Sequence, residues 1–167
     1  MQSFFPAKGS GQTVGTAQVT RLLEQIGNHY RANVANSYIR PALLQLPLGA
    51  QDWVQIEALT HGQAQNMGFS LDDLYRQISA AARFVSMVRH DLLPVLRNRL
   101  KGGESGTRKV LQDMAINNFG SNLKVFADLL NELYMALTEL DRQNSRGHIP
   151  LYLQIPELLE LGRMLVG

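Results

Sequence analysis

The sequence predicts an all-α fold: an up-and-down helical bundle of three long and two short helices, preceded by a flexible N-terminal arm. Three observations lead there. Apolar residues recur at spacings of three and four over most of the chain. Two-residue alternation is nearly absent, so there is little to build a sheet from. Proline and glycine clusters punctuate the periodic stretches at intervals that suit short helix–helix connections.

The chain has 167 residues, enough for one domain with a sizeable core, and 45% of them are hydrophobic. That apolar content is sufficient to offset the ordering entropy of a folded chain. The expected organisation is an arm over residues 1–16 and a single helical domain over 17–167. The arm carries Gly9, Gly11 and Gly15 with no periodicity, and its apolar pair Phe4–Phe5 could dock on the body or on a partner.

The first helix is expected from about Ala17. Thr16 is available as N-cap, and Val19, Leu22, Leu23, Ile26, Tyr30 and Val34 form its apolar face. Pro41 marks its expected end, because the residue before proline is pushed out of the α region. A short helix follows over Asp52 to Thr60, with Trp53, Val54, Ile56 and Leu59 apolar. In the third helix, Ser70 and Asp73 form a capping-box pattern. Behind them Leu71, Leu74, Tyr75, Ile78, Ala82, Val85, Leu92, Leu93, Leu96 and Leu100 make one stripe. Pro94 should kink or break that helix. The loop from Lys101 to Gly106 leads to a fourth helix from Thr107, which Gly120 could bend. Its Leu123, Phe126, Leu130, Leu133, Leu137 and Leu140 alternate three and four apart as a heptad seam. The tail offers one run that could be a strand, Ile149 to Ile155, and a final short helix opening at Pro156.

Several chemistries are excluded or unsupported. The chain contains no cysteine, so disulfides, thiolate nucleophiles and zinc–thiolate sites are impossible. Neither a signal-peptide pattern nor a membrane-length apolar run is present, and the expected location is cytoplasmic. The four histidines stand outside any Glu-x-x-His pattern. Glu57 and His61, four apart on one helix face, are the best local pair, and the expectation is no metal and no cofactor. No Gly-x-Ser-x-Gly elbow is present, and Gly9-x-Gly11 lacks the spacing and preceding strand of a dinucleotide loop. Asp72 and Asp73 lie in the first turn of a helix, where they favour its dipole. The chain therefore does not read as an enzyme.

Charge says more. The net charge is +2. Met1 to Ala127 holds 13 Lys/Arg against 8 Asp/Glu, whereas Asp128 to Gly167 holds 3 against 6. On the third helix Arg76, Arg83, His90 and Arg97 are spaced by seven and Lys101 follows, giving a lengthwise basic stripe. Arg108 and Lys109 stand at the next helix start. Arg89 projects into the apolar stripe and therefore requires a partner. The reading is a non-enzymatic helical interaction or structural protein, acting through protein–protein contacts or self-association. The alternative is nucleic-acid or polyanion binding through Arg76, Arg83, His90, Arg97, Lys101, Arg108 and Lys109.

Overall fold

A computed structural model of the chain describes residues 10–61, 70–101 and 106–166. Among them there is no strand, and the fold is all-α. The helices are α1 (Ser10–His29), α2 (Arg40–Leu43), α3 (Ala50–Thr60), α4 (Leu71–Met87), α5 (Leu93–Lys101), α6 (Thr107–Asn144), α7 (Leu151–Gln154), α8 (Pro156–Leu159) and α9 (Leu161–Val166). Two stretches of wider π-helical winding are spliced in. Tyr30–Ala35 continues α1, and Val88–Leu92 joins α4 to α5.

The 38-residue α6 is the spine. Packed against it are α1, α4, α5 and α9, while α3 packs on α4 and α1. The heptad seam is consumed inside the molecule: Leu123, Phe126, Leu130, Leu133, Leu137 and Leu140 are all buried. α4 is enclosed on most sides. Ala80, Ala81 and Ala82, three consecutive residues that must point in different directions, are all fully buried. Small side chains let neighbouring helices approach closely there. Where α3, α4, α6 and the first π stretch meet, Tyr30, Trp53, Phe84 and Phe126 form an aromatic cluster with centroids 5.4–6.4 Å apart, edge-to-face except for the tilted Tyr30–Phe126 pair. His29 adds a tie across the body, its Nε2–H donating to the Asn122 carbonyl of α6 at 2.8 Å.

Several boundaries differ from the sequence-based expectation. α1 starts at Ser10, not near Ala17, so part of the expected arm is helical; Met1–Gly9, with Phe4 and Phe5, lie outside the described residues. Gly15 is not a breaker but a crossing point, since a Cβ there would lie 2.8 Å from Leu140 Cδ2 of α6. Pro41 begins a helical turn rather than ending one, occupying the first-turn position where its missing N–H costs nothing. Ser70 caps α4 as expected, its hydroxyl accepting from the Asp73 N–H. Pro94 does not break the helix. It cannot donate to the His90 carbonyl, and the wider winding of Val88–Leu92 takes up the distortion. Gly120 leaves α6 continuous. The strand-like run Ile149–Ile155 holds a helical turn instead.

Candidate functional site

The seven expected site residues differ in their surroundings. Arg76 is tied to Asp72 on its own helix at 2.8 Å, and Arg83 reaches Asp52 of α3 at 2.5 Å. Both charges are thereby neutralised at the α3–α4 junction. The π stretch then disturbs the seven-residue arithmetic, because residues in wider winding turn through less than 100° each. His90 is exposed on the π stretch and Lys101 at the end of α5, while Arg97 turns toward α6. Arg108 is exposed and Lys109 half-buried on the first turn of α6, and Gly106 opens that helix at φ 136°, a left-handed value suited to glycine. The preceding loop, 102–105, lies outside the described residues.

A groove of about 660 Å³ runs between α5 with its π stretch and α6. Arg89, Leu93 and Arg97 form one wall, and Asn117, Gly120, Ser121, Lys124, Asp128 and Asn131 the other, with Leu165 at the base. Eight residues of regular α-helix would leave Arg89 and Arg97 about 80° apart around the axis. The π stretch lags behind that rotation and brings both onto the groove. Gly120 makes room for the second: a Cβ there would stand 3.2 Å from Arg97 Nη2. Lys124 pairs with Asp128 at 3.4 Å across a helical turn. Among the described residues neither Arg89 nor Arg97 has an ion-pair partner. Among the described residues no carboxylate or carbonyl partners Arg89.

The buried carboxylate of Asp141, near the end of α6, was not legible in the sequence. It accepts from the Tyr152 N–H at 2.8 Å, from Ser145 Oγ at 3.2 Å and from the Tyr75 hydroxyl at 3.4 Å. The tail is fastened a second time by the Tyr134 hydroxyl, which donates to the Leu158 carbonyl at 3.2 Å. Burial raises the Tyr75 hydroxyl pKa, and the Asp141 charge beside it raises it further. Tyr134 and Tyr30 are also raised, chiefly by burial. This network is a structural fastening, with every group turned inward. The pair Glu57–His61 does not converge as side chains, because His61 Nδ1–H donates to the Glu57 backbone carbonyl at 2.9 Å. Among the described residues no three His, Asp or Glu side chains are placed to hold a metal ion.

One apolar surface stands out. On the first turns of α6, Val110, Leu111 and Met114 are 56%, 60% and 61% exposed, while the opposite side of the helix packs through Ile116 and Phe119. Arg108 and Lys109 sit on the same turns. Val110, Asn117 and Lys124 are spaced by seven, so these turns continue the face of α6 that lines the groove. No described helix is long and apolar enough to cross a membrane. Comparison with protein-family models, with curated proteins and with solved structures finds no match to this chain.

Proposed function

We propose that the protein is a non-enzymatic helical interaction module that engages another protein chain through the N-terminal turns of α6. The observation that carries this reading is the exposure of Val110, Leu111 and Met114 side by side on a helix whose remaining apolar residues are largely buried. Three large apolar side chains clustered at the start of a helix lose the solvation cost of exposure when a partner covers them. Arg108 and Lys109 on the same turns favour a partner with an apolar centre and an acidic rim, and steer its approach. The seam of α6 and the leucines Leu158, Leu161 and Leu165 of the tail are unavailable for this role, since they are buried in the body with Leu130 and Leu133.

The test is a pull-down from native lysate, with and without nuclease, using the parent and the double variant Leu111→Ser, Met114→Ser. Both substituted positions face solvent, so the variant should melt like the parent. The reading expects a protein retained by the parent irrespective of nuclease and lost by the variant. Retention that disappears on nuclease treatment would instead favour nucleic-acid binding through Arg97, Lys101, Arg108 and Lys109. Equal retention by parent and variant would remove these turns from the interface.

A further inference from the structure

We infer that the groove between α5 and α6 is a binding site for a phosphate-bearing small molecule, held by Arg89 and Arg97. Two uncompensated guanidinium groups face one groove, and the fold gives neither a counter-ion among the described residues. Arg89 is half-buried, and a cation held there without a partner costs stability that an incoming anion restores. The pair is brought about by local features of the backbone. The π stretch swings Arg89 and Arg97 onto one face, and π insertions recur at functional sites. Gly120 leaves the space that the Arg97 guanidinium occupies.

The lining fits the ligand class. Planar guanidinium forks match the paired oxygens of a phosphate, and Lys124 adds a third cation, shared with Asp128. Asn117, Ser121 and Asn131 bring neutral donors to the opposite wall. A volume of about 660 Å³ lies within the range of small-molecule sites. Leu93 in one wall and Leu165 at the base offer apolar lining for whatever carries the phosphate. This inference is independent of the partner surface on the first turns of α6, and Leu111→Ser, Met114→Ser leaves it intact.

The experiment is calorimetric titration of the full chain with pyrophosphate as probe, with citrate and a 20-nucleotide single strand as comparison arms. Saturable one-to-one binding of pyrophosphate is expected, with a rise in melting temperature as the occupied state is drawn down. Arg89→Gln and Arg97→Gln should each weaken it about tenfold or more, the loss of one charge-assisted partner. Arg76→Gln, whose charge is already matched by Asp72, should stay within about twofold. Without ligand, Arg89→Gln should melt at or above the parent, an outcome opposite to that of a structural arginine. Gly120→Leu blocks the groove without altering its charge and should also abolish binding, which keeps the site testable if an arginine variant misfolds. Absence of saturable pyrophosphate binding, or undiminished binding by Arg97→Gln and Gly120→Leu, overturns the site. Binding of citrate alone overturns the phosphate assignment, and binding of the strand alone, with a steep salt dependence, makes the groove part of a nucleic-acid surface.

Discussion

Asp141 and Tyr75 are 66 residues apart in sequence, yet meet in the interior as carboxylate and hydroxyl. Removing the carboxylate leaves the Tyr75 hydroxyl and the Tyr152 N–H short of an acceptor, whereas the Ser145 hydroxyl keeps the Asp141 backbone carbonyl at 2.5 Å. Asp141→Ala is therefore expected to cost about 1–3 kcal/mol, measured by urea denaturation. Tyr75→Phe removes a single longer hydrogen bond and should cost only about 1 kcal/mol. The raised Tyr75 pKa also sets a pH dependence. Its folded-state value lies above the ordinary 10.0, so the folded chain holds that proton more tightly than the unfolded chain. Its contribution to stability is complete below pH 10 and declines as pH rises beyond it. Tyr30 and Tyr134, also raised, act in the same sense. Melting temperature should fall steadily above pH 10, less steeply in Tyr75→Phe; equal slopes for parent and variant would deny Tyr75 that role. Sequence could not reveal this network. Asp141 reads as one acidic residue among several near a helix end, and only tertiary contact distinguishes it from exposed Glu139 two residues earlier.

At the scale of the element, periodicity located nearly every helix, because burial of one face imposes a spacing that a single chain displays. What it could not locate were the places where two backbones approach. Glycine in a helix reads as a breaker, yet Gly15 and Gly120 both lie inside helices, each facing a side chain of a neighbouring element. Gly27 is the most constrained. A Cβ there would lie 2.5 Å from the Thr60 carbonyl oxygen and 3.3 Å from its carbon, both main-chain atoms of α3. That same carbonyl lies in the last turn of α3, without an intrahelical partner, and Arg31 of the π stretch donates to it. Gly27→Ala must separate α1 from α3 and disturb this cap, at about 1–3 kcal/mol. Gly15→Ala meets only the end of the Leu140 side chain, which can rotate away. Ala is also the better helix former by about 1 kcal/mol, so this variant should be close to neutral. Chemical denaturation of the two variants gives the comparison, and equal destabilisation would contradict the α1–α3 contact. The π stretch at Val88–Leu92 was equally hidden. Pro94 signalled trouble, but the sequence offered no way to choose between a break and a widened turn. The seven-residue basic spacing suggests a continuous stripe, of which Arg76 and Arg83 are ion-paired, Arg97 lines the groove, and His90 and Lys101 are exposed.

For the molecule as a whole, the question is whether the tail after α6 is an appendage or part of the body. The described ion pair of the tail, Arg163 with Glu160, is local and exposed. Exposed pairs of this kind are worth about 0–1 kcal/mol, and are screened by salt. Apolar burial holds the tail instead. Leu158, Leu161 and Leu165 are 2%, 0% and 2% exposed and belong to the same contiguous cluster as Leu130 and Phe126. α9 reaches both α4 and α6, the two helices at the centre of the body. Leu161→Ala should therefore cost about 2–5 kcal/mol, as for other fully buried leucines. The loss should be felt far from the tail. Trp53, the one tryptophan of the chain, sits on α3 with its ring 5.9 Å from Phe84 of α4, and reports on the aromatic cluster. Because one core connects the two regions, Trp53 fluorescence and far-ultraviolet circular dichroism should give coincident unfolding curves. Leu161→Ala should move both midpoints together, by the same amount at low and high salt. An early transition seen by circular dichroism and not by Trp53 would show a tail that unfolds on its own.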